Sequence, residues 1–325
     1  MKNVVALTLF MLSSINVFAQ QDVQISQHIF NSIFINPAYT GYKEDLYVHS
    51  YYRSQWVGLP GAPQSFSIAA DGALKSANIG LGAMITSDRI GAQSSLSGYV
   101  NYAYRIRLDE IEASHLAFGL GVGVQQLGID GSKLNAMQGG DAAVPVTAQN
   151  TILPDANLGI FYSTPTHFIG VSATNLLARY IKTNTVNVFT PIPQPHVYLT
   201  AGALLDVNPG MKLKPVFLLK DDFKSPTVLD LNAIFIFDRG LSLGAFYRSS
   251  IKLYPKSNIQ TSVFNQNAFG GIVELFITPS MRMGYSYDHT MNALGAYNYG
   301  SHELSIGFYI NSSRSNDPGQ RCFKF

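Results

Sequence analysis

Apolar and polar residues alternate along much of the chain. In GSHELSIGFYI (300–310) every second residue is apolar, namely Leu304, Ile306, Phe308 and Ile310. In ASHLAFGLGVGVQ (113–125) glycines fill many of the positions between the apolar set Leu116, Phe118, Leu120, Val122 and Val124. Successive side chains of a strand point to opposite faces, so this period of two predicts strands with one apolar face and one polar face.

The same pattern predicts about 14 strands along the chain. Most of them are longer than the roughly 5–6 residues usual in soluble sheets and close to the roughly 9–11 that cross a bilayer. The predicted strands are 44–54, 63–73, 77–87, 94–107, 113–127, 153–163, 166–174, 196–208, 211–220, 226–238, 240–249, 266–277, 279–289 and 301–311. Pro215 predicts a bulge in the ninth, because proline has no N–H for the strand ladder.

The connections between the predicted strands differ in length. Those after even-numbered strands are short, and those after odd-numbered strands tend to be longer, the longest being 128–152, 175–195 and 250–265. Such alternation is typical of an outer-membrane barrel with short periplasmic turns and longer outer loops. The fold class predicted is therefore an all-β, transmembrane, up-and-down antiparallel β-barrel whose last strand pairs with its first.

A soluble β-sandwich is the competing interpretation, since its strands alternate as well. The long strands count against it, as does the composition of the second face, which is rich in Gly, Ser, Asn, Asp and Arg. We therefore expect a polar lumen instead of a second apolar core.

The N-terminus and the composition indicate the compartment. Residues 1–19 combine Lys2, an apolar run and small residues before Ala19, which predicts a signal peptide cleaved after Ala19. No later run of apolar residues is long enough for a transmembrane helix. Only 13 % of residues are charged and the net charge is +2, which argues against a nucleic-acid partner and suits a protein with much of its surface in lipid.

Two further segments flank the predicted barrel domain, 44–311. Residues 20–43 contain Ile29, Phe30 and Ile33, which are too apolar for a free tail, so we expect a plug or a periplasmic docking piece. Residues 312–325 form a polar tail, and both termini are expected in the periplasm. The single cysteine, Cys322, has no partner for an internal disulfide.

Seven charged residues face the lumen by parity. They are Arg105, Asp230, Arg248, Glu274, Arg282, Asp288 and Glu303. Because buried charges need partners or water, these residues predict either a lattice of salt bridges in the wall or a wet or plugged interior.

The sequence offers no constellation for catalysis or cofactors. The seven histidines are dispersed without an HExxH or His-x-His pattern, and no glycine-rich phosphate loop opens a helix. We therefore expect no enzyme activity, no metal and no cofactor.

Several motifs in order resemble one known family. They are NPAYTGY (36–42), RSQWVGLPGAPQSFSIAAD (53–71), GLGAMITSDRIG (80–91), YSYD (285–288), GSHELSIGF (300–308) and the closing RCFKF. Together they resemble the PorP/SprF family. The resemblance implies an outer-membrane barrel of Bacteroidota, similar to fatty-acid-transporter-like barrels, that works with the type IX secretion system. It also implies a secreted partner, such as a gliding adhesin, delivered or held through its C-terminal sorting domain.

The resemblance also indicates residues for partner or plug contacts. They are Asn36, Pro37, Tyr39, Gly41, Arg53, Gln55, Trp56, Gly58, Asp88 and Arg89. Trp56, the only tryptophan, either shapes a rim site or anchors the headgroup interface. Asp88 and Arg89 either pair with lumen charges or Arg53, or belong to a polar turn.

Two functions remain open at this point. The first is a partner barrel of type IX secretion, with the long outer loops as candidate contacts; their size favours the adhesin-dedicated branch of the family. The second is a gated channel or transporter for hydrophobic or small solutes, which the fatty-acid-transporter-like architecture allows.

Overall fold

The computed structural model describes residues 24–74, 78–109, 114–134, 145–181, 192–238, 240–256 and 267–310. Within them one antiparallel sheet contains β1 (Leu46–Ser54), β2 (Gln64–Ala73), β3 (Ile79–Ile90), β4 (Gln93–Arg107), β5 (His115–Asp130), β6 (Ala148–Ser163), β7 (His167–Thr174), β8 (His196–Ala203), β9 (Leu205–Asn208), β10 (Met211–Asp221), β11 (Thr227–Phe237), β12 (Leu241–Ile251), β13 (Ala268–Thr278), β14 (Met281–Thr290) and β15 (Ser301–Ile310). Short 3-10 helices lie at Ser32–Phe34, Pro37–Tyr39, Gly131–Lys133, Ala178–Tyr180 and Ala293–Tyr297. The predicted signal peptide, the polar tail and Cys322 lie outside the described residues.

The sheet closes on itself. β15 pairs with β1 in antiparallel register, with Leu304 opposite Tyr52, and β10 pairs with β11 on the far side of the ring. β8 and β9 follow one another along the same edge of β10, so the closed wall is 14 strands around. The predicted fold class, including the pairing of the last strand with the first, is confirmed.

The predicted bulge at Pro215 is absent. β10 stays in register with β11 through this position, with Pro215 opposite Ala233. Instead, the strand on the other edge of β10 is interrupted at Leu204, between β8 and β9. Gly202 lies opposite Val216 before this break and Leu205 lies opposite Leu213 after it, so the register with β10 is the same on both sides. Between Leu213 and Val216 the edge of β10 that faces β8 and β9 is unpaired, so a residue without an N–H is tolerated at Pro215.

Burial alternates along the strands as the sequence predicts. In β15 the side chains of Leu304, Phe308 and Ile310 are exposed on the outer face, whereas Glu303 and Ser305 are buried in the lumen. In β5 the outward Val122 is 52 % exposed, between glycines that face the lumen. The outer face is therefore a continuous apolar surface of the kind that lipid covers.

No helix within the described residues is both long enough and apolar enough to cross a membrane.

The expectation of a polar lumen is wrong for one part of the wall. β10 to β13 direct apolar side chains inward, namely Val216, Ile234, Ile236, Phe246, Ile272 and Phe276. They form one buried cluster with Ile29, Phe30 and Ile33 from the N-terminal segment. The same cluster includes Ala69, Met84, Tyr99, Ala117, Phe161 and Phe168 from β2 to β7, so the packed core around the plug also reaches the other side of the lumen.

The two ends of the barrel differ. We call the end at which β1 ends the loop end, and the opposite end the turn end. The loop-end connections are 55–63, 91–92, 131–147, 175–195, 222–226, 252–267 and 291–300, whereas turns such as Pro209–Gly210 and 279–280 close the turn end. The predicted alternation fails at 91–92, because β3 and β4 stay paired up to Ile90 and Gln93.

The wall is also uneven in height at the loop end. β5 and β6 contain 16 residues each, whereas β7 and β8 contain 8 each. Both ends of the predicted loop 128–152 therefore belong to strands, which leaves 131–147 as the connection. Parts of the three long predicted loops lie outside the described residues.

Candidate functional site

The N-terminal segment, residues 24–43, lies inside the barrel. Ser26 reaches the loop-end halves of β1, β14 and β15, and Lys43 leads into β1 at the turn end. The segment contains two short 3-10 turns, whose first free N–H groups are capped by the side chains of Asn31 and Asn36. We call this segment the plug.

The NPAYTG motif fixes the plug to the wall. The Asn36 amide donates to the carbonyl oxygen of Ile160 in β6 at 3.1 Å, and the Gly41 N–H donates to Asp71 in β2 at 2.7 Å. Pro37 is buried, and the buried ring of Tyr39 meets Phe161 edge-on at 5.5 Å. The four motif residues predicted as contacts are therefore all plug residues that meet the barrel wall.

Close approach of plug and wall depends on a missing side chain. Gly119 faces the lumen from β5, and a Cβ atom there would overlap the backbone of Ala38. Only glycine lets two backbones come this close.

Five charged side chains meet near the loop end: Arg53, Asp230, Arg248, Asp288 and Glu303. We call them the ion cluster. Arg53 contacts Asp288 at 2.6 Å and Glu303 at 3.1 Å. Arg248 contacts Asp230 at 2.6 Å and Asp288 at 3.1 Å, so Asp288 bridges the two guanidinium groups. All five side chains are almost fully buried, and each has an oppositely charged partner, as buried charges require.

The plug takes part in the ion cluster. The Ser26 hydroxyl donates to Asp288 at 2.8 Å, and the Ser26 N–H donates to Glu303 at 2.9 Å. The Gln27 N–H donates to the second oxygen of Glu303 at 2.9 Å. Backbone and carboxylate thus hold the start of the plug with charge-assisted hydrogen bonds, which are stronger than neutral ones.

A second group of charges lies near the turn end. Arg282 contacts Glu274 at 2.6 Å and hydrogen-bonds to the hydroxyl of Tyr47. The Lys43 ammonium donates to the carbonyl oxygen of Phe30 at 2.7 Å and lies 3.5 Å from the centre of the Tyr47 ring. Six of the seven predicted lumen charges thus fall into two buried groups, and Arg105 lies apart from both.

Above the plug, the loop end opens into a cavity of about 530 Å³, which we call the cup. Its floor is formed by the plug residues Gln24, Ile25, Phe34 and Ile35 together with Arg53, Arg248 and Asp288. Its walls come from β1 to β8 and β12 to β15, with residues such as Ser97, Asn157 and Tyr198, and from the loop-end connections, with Trp56 and Asn175.

Trp56 lies on the rim of the cup. Its backbone takes the left-handed conformation, with φ of +49°, and its N–H donates to the Ser301 hydroxyl at 3.1 Å. The next residue pairs with the 291–300 connection, since the Val57 N–H donates to Gly300 at 2.8 Å. Gly58, with φ of +100°, leaves room for the ring of Tyr299. Gln55 is buried beside the rim. This geometry favours the rim interpretation of Trp56 over the headgroup anchor.

Asp88 and Arg89 point to opposite sides of β3. Asp88 is half-buried on the lumen side, Arg89 is exposed at the loop end of the strand, and both residues line the cup. The ion-pair partners of Arg53 are Asp288 and Glu303, on the strands at its other side, instead of the suggested Asp88.

Several contact residues were not found from the sequence. Ser26, Gln27 and Lys43 have no motif that marks them. Asp155 was also not predicted, although the alternation along β6 places it in the lumen. Its carboxylate accepts hydrogen bonds from the Tyr99 hydroxyl at 2.7 Å and from the Leu177 N–H at 2.9 Å. A carboxylate at a lumen-facing position of a predicted strand is the sequence feature that would have indicated this contact.

Among the described residues, no three His, Cys, Asp or Glu side chains come together in a way that would hold a metal ion.

Comparison with known proteins gives one sequence family and a group of similar folds. The family described as type IX secretion system membrane protein PorP/SprF matches residues 17–308. No curated protein matches the chain in sequence.

Solved structures share the fold at low identity. The CymD monoaromatic hydrocarbon channel has a TM-score of 0.53 at 10 % identity, with 91 % of this chain and 96 % of that chain covered. A Pseudomonas aeruginosa FadL homologue has a TM-score of 0.46 at 9 % identity, with 86 % and 93 % covered. Omp33 of Acinetobacter baumannii has a TM-score of 0.45 at 11 % identity, with 82 % and 100 % covered. At such identities the likeness concerns the fold alone.

Proposed function

Because the chain belongs to the PorP/SprF family of type IX secretion system membrane proteins, we propose that it is a non-enzymatic barrel that binds a secreted surface protein. The family and the barrel fold assign it to the outer membrane and to the secretion machinery. In this proposal the C-terminal sorting domain of the secreted protein is the bound part, and the barrel helps to deliver or anchor it at the cell surface.

The observation that carries the proposal is the combination of a filled lumen with an open cup. The plug packs Ile29, Phe30 and Ile33 against the inward side chains of β10 to β13. A solute that crossed the barrel would have to displace this packed core, whereas a partner at the loop end reaches the cup without moving it. Concave surfaces of this size are common binding sites.

The proposed orientation has the loop end outside the cell. Long connections face outward in outer-membrane barrels and short turns face the periplasm. Three long connections, 131–147, 175–195 and 252–267, then surround the cup and are candidates for contact with the partner. Their length supports the branch of the family in Bacteroidota that serves a gliding adhesin.

A gated channel or transporter is the second candidate. It is supported by the apolar part of the cup, which includes Phe34, Tyr51 and Met84, and it requires the plug to move. A fold shared with a hydrocarbon channel does not by itself assign that activity to this chain.

The test is affinity purification of the tagged barrel from its native outer membrane, with mass spectrometry of the proteins that remain attached. We expect one large secreted protein with a C-terminal sorting domain, and the same tag on an unrelated outer-membrane barrel serves as control. Deletion of 257–265 should reduce retention if that connection contacts the partner. An isolated barrel that passes solute in planar bilayers and retains no secreted protein would contradict the proposal and favour the transporter.

A further inference from the structure

Two neighbouring connections at the loop end expose large apolar side chains that do not line the cup. Phe223, between β10 and β11, is 59 % exposed, and Leu253, after β12, is 56 % exposed. Lys224 and Lys252 lie next to them in the chain and are exposed as well. We call these four residues the interfacial patch. Apolar side chains of this size lose free energy in water, so the patch requires a partner that covers them and accepts lysines.

The connections that carry the patch border the outer face of the wall. Asp221 ends β10 and Thr227 begins β11, and by the alternation of their strands both occupy the next outward positions beyond Leu219 and Leu229. Both are nevertheless buried, because the connection after β12 covers them. This connection therefore folds over the outer side of the barrel, away from the lumen.

A group of polar contacts fixes this arrangement. The Lys256 ammonium contacts the Asp221 carboxylate at 2.8 Å, and the Tyr254 hydroxyl donates to the same carboxylate at 2.9 Å. The Thr227 hydroxyl is a third donor to Asp221. Residues 252–256 are thus held against the outer ends of β10 and β11, at the border of the apolar surface that faces lipid.

The backbone holds the ring of Phe223 in an exposed position. Phe223 has φ of +64°, a left-handed conformation that is costly for a bulky residue. Its N–H donates to Asp221 at 2.6 Å, and Asp222 accepts from the N–H groups of Lys224 at 2.9 Å and Ser225 at 2.6 Å. A strained turn that exposes an aromatic ring is a candidate contact site, because strain of this kind is concentrated at functional positions.

Positive charge exceeds negative charge around the patch. Lys224, Lys252 and Lys256 belong to the two connections, whereas the carboxylates beside them are Asp221 and Asp222. Asp221 is already paired with Lys256, and the remaining part of the second connection, 257–267, contains no charged residue. The patch therefore favours an anionic partner.

We propose that the interfacial patch binds the phosphate-bearing headgroups of the lipids around the loop end, with Phe223 and Leu253 inserted between headgroups and acyl chains. Apolar side chains flanked by lysines are typical of segments that lie in a membrane interface, where the lysines reach the phosphates. The patch continues the lipid-facing surface of β10 to β12, so the surrounding lipid meets it directly. The inference concerns the outer side of the barrel and does not depend on the secreted protein that the cup receives.

The test uses a tryptophan at position 223 to report on neighbouring lipid. Trp56 is the only tryptophan, so the double variant Trp56→Phe/Phe223→Trp contains a single one. The barrel is placed in phosphatidylcholine nanodiscs with a minor fraction of brominated phosphatidylglycerol or, for comparison, the same fraction of brominated phosphatidylcholine. Bromine quenches tryptophan fluorescence on contact, so the ratio of the two quenching constants measures the preference for the anionic headgroup. We expect a preference of about tenfold or more.

The role of the lysines is tested in the same background. Lys224→Gln and Lys252→Gln together should reduce the preference to within about twofold of unity and leave quenching by brominated phosphatidylcholine unchanged. Lys133→Gln with Arg179→Gln is the matched control, because both are exposed basic residues at the loop end outside the patch. A rise in salt concentration should also weaken the preference with the lysines in place. Assembly of every variant is checked by heat-modifiable migration.

Each contrary result is informative. Equal quenching by the two brominated lipids, or a preference that survives the loss of both lysines, overturns the inference. Leu96→Trp in the Trp56→Phe background is the positive control, since Leu96 is a 47 % exposed outward residue of β4. If this tryptophan is quenched and the one at 223 is not, the patch lies outside the lipid and is left to a protein partner, which also overturns the inference. None of these results affects the proposed function, which is tested by retention of a secreted protein.

Discussion

Arg53 of β1 and Asp288 of β14 form an ion pair of 2.6 Å although 235 positions separate them in the chain. β15 lies between their strands, so the pair spans one strand inside the lumen. The Ser26 hydroxyl of the plug hydrogen-bonds to the same two side chains. This group of contacts therefore links β14 and β1, on either side of the last strand β15, with the plug inside the lumen.

Removal of the Arg53 charge should destabilise the barrel. In Arg53→Met the carboxylates of Asp288 and Glu303 lose a buried partner, so we expect the free energy of unfolding to fall by about 3–5 kcal/mol. Urea unfolding of the purified barrel in detergent micelles measures this. Lys212→Met is the matched control, because its ion pair with Asp206 lies at the surface, where Asp206 is 80 % exposed, and contributes about 0–1 kcal/mol. Equal effects of the two substitutions would contradict the structural role of the ion cluster.

A side chain at Gly119 should displace the plug. In Gly119→Ala the new methyl group would overlap the backbone of Ala38, so we expect faster hydrogen exchange over 36–41, measured by mass spectrometry. Gly98→Ala on the adjacent strand is the control, since a Cβ atom there meets no atom within 4 Å. Unchanged exchange in Gly119→Ala would show that the wall accommodates the methyl group and that close approach is not required.

Truncation of a plug side chain should weaken the lumen core. Ile33 is 1 % exposed in the cluster that joins the plug to β10 to β13. In Ile33→Ala we expect a loss of about 2–5 kcal/mol in the free energy of unfolding, because a cavity replaces packed atoms. Ile90→Ala, on a half-exposed side chain at the end of β3, should change it by no more than about 0.5 kcal/mol. If the two variants unfold alike, the plug is not part of the core.

The mature chain should begin at Gln20. The charged start, apolar run and small residues before Ala19 predict cleavage at this bond. Intact-mass measurement of the barrel purified from the outer membrane checks this, and Ala19→Arg should retain residues 1–19. A mature chain that still contains Lys2 would contradict the prediction.

The loop end should face the outside of the cell. In a Cys322→Ser background, Lys133→Cys at the loop end should react with a membrane-impermeant maleimide in intact cells, whereas Asn208→Cys at the turn end should react only after lysis. Both positions are exposed in the structure, so the difference reports which side of the membrane each occupies. The reverse pattern would place the cup in the periplasm.

The strands of the barrel wall and their outward faces can be predicted from the sequence because the pattern that indicates them is local. Alternation of apolar and polar residues depends only on neighbours along the chain, and each strand repeats it. In β15 the outward positions of Leu304 and Phe308 and the inward position of Glu303 follow from this alternation alone. Closure follows from the same pattern, since an exposed strand edge in lipid would leave backbone groups without hydrogen bonds.

Which side chains contact one another inside the lumen is determined only by the tertiary structure. Alternation indicates that Asp230, Asp288 and Glu303 point inward, but it does not indicate which of them meet. Which of these side chains come into contact depends on the radius and strand register of the closed barrel. It also depends on the plug, which is distant from them in the sequence. The apolar inward face of β10 to β13 was misread for the same reason, because a lumen filled by the plug selects side chains as a protein core does.

The sequence by itself thus determined the strands, the face that meets lipid and the family. Only the tertiary structure shows that Ser26 hydrogen-bonds to the ion cluster, that Gly119 leaves room for the backbone of the NPAYTG motif, and that Trp56 lies on the rim of the cup. The physical reason is range: the strand pattern is set by residues one or two positions apart, whereas these contacts join residues that only the closed barrel brings together.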